Sequence, residues 1–105
     1  MVATSLEFQQ AMFGIYRSAK VEAGYTATVF FNMLNSRGAL PTAKYLLNTP
    51  SVSAGYTALY ERGRLDLTVE GLIIKHPQFH HLFSSKELDT ARRRLQQYGY
   101  LLQTG

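Results

Sequence analysis

The run Arg92-Arg93-Arg94 is the strongest candidate for binding chemistry in this sequence. Guanidinium groups match phosphate geometry, so arginines clustered on a helix are typical of nucleic-acid contact. The run lies in a segment whose apolar residues recur at helical spacing. Arg93 then points away from the apolar stripe, and Arg92 and Arg94 flank the stripe at about 100° on either side. The three side chains therefore cannot form one flat clamp.

Further basic residues extend this surface if the last helices pack together. Tyr98 or Tyr100 could then stack on a base. Asp89 favours a second interpretation, because it can pair with the arginines three and four residues later and leave a solvated helix face. No convincing helix-turn-helix pattern accompanies the run. The predicted nucleic-acid-binding residues are Arg62, Arg64, Lys86, Arg92, Arg93 and Arg94.

Three histidines, His76, His80 and His81, form the second candidate. Residues four apart on a continuous helix could hold a metal ion with both imidazoles. Pro77, however, disfavours helical backbone at His76. A third ligand would have to be Asp66, Glu70 or a distant residue, and no spacing points to one. We therefore predict no metal site, and expect a turn of partly exposed histidines that Phe79 and Phe83 anchor to the core.

The third candidate is the polar segment Arg62–Glu70. Asp66 and Glu70 could act as paired carboxylates in acid-base catalysis. The favoured interpretation is structural: Asp66 or Thr68 caps a helix, Glu70 lies in its first turn, and Arg62 or Arg64 pairs with either carboxylate. The sequence also lacks a Ser-His-Asp arrangement, a phosphate-binding glycine loop and a dinucleotide fingerprint. We predict no catalytic residue, no enzyme activity and no cofactor.

Composition limits the class of protein. The chain has 105 residues, of which 46% are hydrophobic, and a formal charge of +4 from 11 basic and 7 acidic residues. That length predicts a single domain over residues 1–105. The absence of cysteine favours a cytoplasmic protein. The N-terminus has no basic region before an apolar stretch, and no apolar run approaches the roughly 18 residues of a membrane span.

Capping residues and glycines divide the chain into short helices. Thr4 with Glu7, and Ser84 with Glu87, have the spacing of capping boxes. "LDLTVEGLIIK" could be a strand, but it has no strand to pair with, so we predict helix. The predicted elements are helices over about 5–23, 26–36, from Pro41 to before Pro50, from Ser53 to before Gly63, over about 68–74 and from Ser84 to Gly99, with a one-turn element at Pro77. They form an all-α, compact bundle of six or seven short helices.

Helical spacing also predicts which side chains face the core. The expected inward residues are Phe8, Met12, Ile15, Tyr16 and Ala19 in the first helix and Leu88, Ala91, Leu95 and Tyr98 in the last. The apolar residues of the helices between them are Val29, Phe30, Met33 and Leu34, then Ala43, Leu46 and Leu47, then Tyr56, Leu59 and Tyr60.

Aromatic residues point to a protein partner. Seven tyrosines and six phenylalanines exceed what a small bundle hides comfortably. Tyrosine and phenylalanine are enriched at the centres of interfaces. The apolar residues of the first helix also spread beyond one stripe. We therefore expect self-association, most simply as a homodimer.

Three stretches share a wider arrangement. Ala43–Leu47 reads A-K-x-L-L, Gly55–Glu70 contains G-Y-T-x-L and G-R-L-D-L-T-V-E, and Leu82–Tyr100 reads L-F-S-x-x-E-L-x-x-A-R-x-R-L-x-x-Y-G-Y. This arrangement resembles a helical module of uncharacterised bacterial proteins without an established activity. The resemblance covers about three quarters of the chain. It implies a helical fold and an accessory or binding role, and it carries over no catalytic residue.

Two functions follow as hypotheses. The first is a small non-catalytic bacterial binding module, associated with nucleic acid through a basic C-terminal helix. The second is a protein-interaction or dimerisation adaptor whose basic surface only confers solubility.

Overall fold

The computed structural model describes residues 4–100, so both ends of the predicted 1–105 domain lie outside the described residues. This part of the chain contains α-helices and 3₁₀ helices and no strand, which confirms the predicted all-α fold. The helices are α1 Ser5–Glu22, α2 Thr28–Arg37, α3 Ala39–Leu47, α4 Ala54–Glu61, α5 Val69–Lys75 and α6 Ser85–Gln97, with 3₁₀ helices at Leu65–Leu67 and Pro77–Leu82. None of these helices is both long and apolar enough to cross a membrane.

Both predicted capping boxes are confirmed. The Thr4 hydroxyl accepts from the Glu7 backbone N–H at 3.2 Å, and the Glu7 carboxylate accepts from the Thr4 N–H at 2.9 Å. Ser84 and Glu87 make the same reciprocal pair at 3.1 and 2.9 Å. Each box satisfies two backbone donors that would otherwise lack a partner at a helix start. These contacts fix where α1 and α6 begin.

The ambiguous segment "LDLTVEGLIIK" is helical, as predicted, from the cap at Thr68 onward. The Thr68 hydroxyl accepts from the Gly71 N–H at 3.0 Å and donates to the Leu65 carbonyl at 2.6 Å. One side chain therefore caps α5 and closes the 3₁₀ turn that precedes it. The predicted Ser53 cap of α4 is also present, accepting from the Tyr56 N–H at 3.1 Å.

The start of α3 differs from the prediction. The helix begins at Ala39, two residues before Pro41, because Gly38 with φ of 91° separates α2 from α3 without a longer loop. A positive φ is open to glycine at little cost. Pro41 still lies in the first turn, where its missing N–H costs no hydrogen bond.

One main core joins α1 to the other helices. The predicted inward residues of α1 and α6 are buried or half-buried, as are most apolar residues of the helices between them, whereas Val29 is 73% exposed and Tyr60 is 45% exposed. Val29 is exposed because only Leu34 is buried in α2, so most apolar residues of this helix lie outside its contact with the core. The buried core includes Phe8, Met12, Ile15, Ala19, Ala43, Leu47, Leu59, Leu72, Ile73, Phe79 and Ala91.

Phenylalanine rings attach the histidine segment to α1. The Phe8 ring is fully buried and meets Phe79 and Phe83 edge to face, with centroids 5.2 and 5.5 Å apart. Edge-to-face pairs add to the burial of aromatic area. The prediction that these two phenylalanines anchor the turn to the core is confirmed. A second, smaller cluster of Tyr56, Leu65 and Leu95 lies between α4 and α6.

Gly71 gives the first testable prediction. A Cβ atom added there would overlap the backbone carbonyl oxygen of Leu65, which is held by the 3₁₀ turn and cannot swing away. Alanine is favoured over glycine in a helix by about 1 kcal/mol. Here the clash outweighs that gain, and we expect Gly71→Ala to lower the free energy of unfolding by about 1 to 3 kcal/mol.

Gly14 in α1 is the matched control, because a Cβ atom there meets nothing within 4 Å. Gly14→Ala should leave stability unchanged or raise it by up to about 1 kcal/mol. Denaturant unfolding monitored by circular dichroism measures both. Equal stability of the two variants would contradict the close approach of α5 to the 3₁₀ turn.

Candidate binding sites

Arg94 lies inside the protein, where it forms an ion pair with Glu70. Arg94 Nη1 is 3.0 Å from Glu70 Oε2, and each side chain is only 6% exposed. The same guanidinium donates to the Leu46 carbonyl at 3.0 Å and to the Thr49 carbonyl at 2.6 Å. Arg94, which the sequence predicts to bind nucleic acid, therefore has its donors directed to partners inside the protein in this structure. Arg94 lies beside the apolar stripe of α6 and faces α5. Its planar guanidinium group places several N–H donors at the contact between these helices.

Glu70 and Asp66 pair with different arginines in this structure. Burial raises the pKa of the Glu70 carboxyl, since a low-dielectric surrounding disfavours the charged form, while Arg94 opposes that rise. Asp66 instead accepts from Arg64, whose hydrogen bond lowers the pKa of the Asp66 carboxyl. The pairing of Arg64 with Asp66 is as predicted, whereas the partner of Glu70 is Arg94 and not Arg62 or Arg64.

Arg62 and Arg64 lie together near the C-terminal end of α1. Arg64 Nη2 is 2.9 Å from Glu22 Oε1 and its Nε is 3.0 Å from Asp66 Oδ1. Arg62 donates to the Ala23 carbonyl at 3.1 Å. These guanidinium groups join α1 to the segment after α4. Two carboxylates offset the charge of Arg64, so this part of the predicted surface offers little to a phosphate.

The remaining predicted residues form the basic face of α6, which we define as Lys86, Arg92 and Arg93. All three are exposed. Lys86 and Arg93 are seven residues apart, so they lie on the same side of the helix. Arg92 Nη1 is 3.5 Å from Asp89 Oδ1, a long and exposed contact. Within residues 4–100, Lys86 and Arg93 make no ion pair, so their charges face solvent.

The histidines bind backbone rather than each other. His76 Nδ1 is 2.8 Å from the Leu72 carbonyl, and His80 Nε2 is 2.9 Å from the Ile73 carbonyl. Carbonyls in the last turn of a helix lack intrahelical partners, and these two ring nitrogens donate to them. In the described part of the chain, no group of three or more His, Asp or Glu residues is placed to hold a metal ion.

Glu87 is a buried junction that sequence reasoning missed beyond its capping role. Its carboxylate accepts from Lys44 Nζ at 2.8 Å and from Asn48 Nδ2 at 2.9 Å, so it ties α3 to the start of α6. Burial opposes its ionisation, but hydrogen bonds from Lys44, the Ser84 N–H and Asn48 outweigh that effect and lower the pKa to about 2. The capping-box spacing indicates Glu87 in the sequence, but its bonds with Lys44 and Asn48 depend on the packing of α3 against the start of α6.

A cleft that the sequence does not predict opens between α1, α2, α4 and the start of α5. Its empty volume, including the open mouth and the solvent space there, is about 420 Å³. Most of its wall is apolar or aromatic, with Glu70 and Tyr56 among the residues that line it. Segments far apart in the chain form the cleft, so no local pattern could have indicated it.

No family model, curated protein or solved structure matches the chain. The resemblance to a bacterial helical module therefore stays a prediction. The residues that carry it have structural roles here: Thr68 caps α5, Glu70 pairs with Arg94, Lys44 pairs with Glu87, and Ala91 and Leu95 are fully buried.

Arg94 and its neighbour Arg93 give a paired prediction. Arg94→Ala leaves the Glu70 carboxylate buried without its counter-charge, and we expect it to lower the free energy of unfolding by about 3 to 5 kcal/mol. Arg93→Ala changes an exposed side chain and should stay within about 0.5 kcal/mol of wild type. Urea denaturation of the three proteins measures the difference.

Replacing both Glu70 and Arg94 tests whether the unpaired buried carboxylate causes the loss of stability. Glu70→Leu combined with Arg94→Met should recover part of the stability that Arg94→Ala loses, because an apolar pair avoids an unpaired buried ion. Similar losses for Arg93→Ala and Arg94→Ala would contradict the buried ion pair.

Glu87 predicts a specific pH dependence. Its pKa falls from 4.5 in the unfolded chain to about 2 in the folded protein, so its contribution is complete above about pH 4.5 and disappears as the pH falls toward 2. Glu87→Gln should lower stability at pH 7 by about 1 to 3 kcal/mol and flatten the stability curve between pH 5 and 2.

The matched control is Glu7→Gln in the other capping box. Among the described residues, Glu7 accepts only from Thr4 and has no lysine partner. Thermal unfolding from pH 7 to pH 2 should show the larger change for Glu87→Gln. If both variants kept the wild-type slope below pH 5, the proposed role of the Lys44–Glu87 pair would be wrong.

Proposed function

We propose that this protein is a non-catalytic binding module that contacts nucleic-acid phosphates through the basic face of α6. The single observation that carries the proposal is the exposure of Lys86, Arg92 and Arg93 on one helix, while Arg94 beside them is committed to Glu70. The proposal places the protein in the bacterial cytoplasm.

The charge of this face favours an anion. Lys86, Arg92 and Arg93 carry three positive charges and Asp89 carries one negative charge. The exposed charges of the thirteen-residue helix α6 therefore sum to +2. Gln96 and Gln97 are also exposed in the next turn and can donate to phosphate oxygens. Such contacts position a protein on a backbone and do not specify a base sequence.

The expected binding is weak and independent of sequence. Two or three phosphate contacts give a salt slope of about −2 to −3 on duplex DNA, since each neutralised phosphate releases about 0.9 counterion. We expect dissociation constants in the non-specific range, about 10⁻⁴ to 10⁻⁶ M. Tyr98 does not extend the face, because its ring packs against Tyr56 and Tyr60 at 5.1 and 4.8 Å.

A protein-interaction adaptor is the second candidate, and exposed apolar side chains favour it. Most inward residues of α1 are buried in the core. The apolar surface that α1 leaves for the proposed homodimer is therefore smaller than the sequence of α1 predicts. Arg37 also covers the Tyr45 ring at 4.6 Å. The large apolar residues exposed in the structure are Leu6, Val21, Val29, Tyr45 and Tyr60.

Fluorescence anisotropy with random-sequence DNA and RNA at two salt concentrations separates the two candidates. Arg93→Ala should weaken binding to every sequence and reduce the salt slope by about one contact. Adding Arg92→Ala should deepen both effects. Arg17→Ala is the matched control, because it removes the same charge from an exposed position on α1.

Two outcomes would reject nucleic-acid binding through α6. One is affinity no tighter than millimolar at low salt. The other is an equal effect of Arg17→Ala and Arg93→Ala, which would show a response to net charge alone. Light scattering in the same samples tests the homodimer, and a concentration-independent mass near 11.8 kDa would exclude it.

A further inference from the structure

Two cations of the basic face of α6, Lys86 and Arg93, lie in one line along the helix. At about 100° per residue, Arg93 is only about 20° around the helix axis from Lys86. Seven residues separate them, so their positions are about 10.5 Å apart along the axis. Both side chains are exposed. The face therefore offers two positive charges at a defined separation.

This separation is fixed because α6 is tied to the core on both sides of the basic residues. Near its start, Glu87 accepts from Lys44 Nζ at 2.8 Å. Near its end, Arg94 Nη1 is 3.0 Å from Glu70 Oε2. An unpaired strand would have to be ordered on this rigid face, which costs free energy, whereas a double helix already holds its phosphates in regular positions.

Asp89 interrupts the line of positive charge. It lies between Lys86 and Arg93 along the axis and about 40 to 60° to one side of them. Its side chain is 73% exposed, and its ion pair with Arg92 is long, at 3.5 Å. A carboxylate with so little compensation repels a phosphate placed beside it. The face therefore favours a ligand whose phosphates are separated by a gap.

The sequence of α6 contains no aromatic residue on which an unpaired base could stack. Tyr98 follows the helix, but it lies about 140° around the axis from Arg93. Its ring packs on Tyr56 and Tyr60 at 5.1 and 4.8 Å, and Tyr100 is half-buried against the same cluster. Proteins that hold single strands without sequence preference depend on stacking rings along the basic surface. The basic face of α6 lacks this contribution.

A double helix presents its phosphates in the arrangement that this face requires. The two backbones of B-DNA are separated by grooves about 6 and 12 Å wide. Along one strand, in contrast, a phosphate recurs about every 3.4 Å of the helix axis. A strand that followed the line from Lys86 to Arg93 would therefore place phosphates beside Asp89. If α6 crosses a groove instead, Asp89 lies over the gap between the backbones.

We infer that the basic face of α6 binds a double-stranded nucleic acid across a groove, with Lys86 and Arg93 on phosphates of opposite strands and Asp89 over the groove between them. The inference rests on the proposed function and adds the form of nucleic acid that the face selects. The chemistry that the face recognises, two phosphate backbones separated by a groove, is shared by DNA and RNA duplexes.

Fluorescence anisotropy with one labelled strand, either unpaired or annealed to its complement, tests this inference in DNA and in RNA. At low salt we expect the duplex to bind about fivefold tighter than its own unpaired strand, the effect of one additional polar contact. A duplex also carries more charge than a single strand, so variants must separate the geometry of the face from charge density.

Asp89→Asn is the decisive variant. Without the carboxylate a strand can follow the whole line, so affinity for the unpaired strand should rise about fivefold and affinity for the duplex by less than about twofold. Glu61→Gln is the matched control, because it removes the same charge from an exposed position on α4. It should change both affinities by the same factor. Circular dichroism should show both variants folded like wild type.

Arg93→Ala gives the second comparison. It removes the contact to one of the two backbones, so it should weaken duplex binding more than single-strand binding and bring the two affinities within about twofold of each other. Arg17→Ala, at an exposed position on α1, should weaken both by the same factor and keep the preference for the duplex.

Two results would overturn the inference and leave the proposed function intact, provided that Arg93→Ala still weakens binding. They are an unpaired strand that binds as tightly as the duplex, and an equal gain of both forms in Asp89→Asn. Binding of neither form tighter than millimolar at low salt would overturn the proposed function together with the inference. A duplex preference in DNA or in RNA supports the inference, and the larger preference identifies the double helix that fits the face.

Discussion

The buried pair of Glu70 and Arg94 is the interaction on which the C-terminal half of the structure depends. Removing two charges from water costs several kcal/mol for each ion, and only close geometry with further hydrogen bonds offsets that cost. Arg94 meets this condition by contacting Glu70 together with the carbonyls of Leu46 and Thr49. One side chain thereby joins α6 to α5, to the last turn of α3 and to the loop that follows it.

This pair also satisfies a backbone group at the end of α3. The carbonyls in the last turn of a helix have no intrahelical donors and need partners from elsewhere. Arg94 supplies one to Leu46, and Asn48 bonds the Lys44 carbonyl at 2.7 Å with the same amide group that also reaches Glu87. The end of α3 is thus tied to α6 at two points, and Glu87 and Arg94 both use α6 positions that are buried.

The charged residues of α6 therefore have two different roles. Its inward charges hold the bundle together, and its outward charges remain available to solvent. The Glu70–Arg94 pair has no net charge and lies beside the cleft, which Tyr56 and Glu70 both line. The pattern that resembles a bacterial helical module follows this scaffold closely, since Thr68, Glu70, Ala91 and Leu95 all stabilise packing. Two residues of the proposed nucleic-acid contact, Lys86 and Arg93, lie on the surface of α6 at positions that this pattern leaves open.

Local sequence by itself determined the helical elements. Capping boxes at Thr4 and Ser84, the caps at Ser53 and Thr68, and the glycines between helices act within four or five residues, so their effect can be read directly from the chain. Helical spacing directs Arg93 away from the apolar stripe, but tertiary structure alone decided which of Arg92 and Arg94, one on each side of the stripe, would be buried. It also decided the partners of Glu87 and the existence of the cleft. Those features join residues some 40 positions apart, and their energies come from burial, desolvation and packing that a local pattern does not contain.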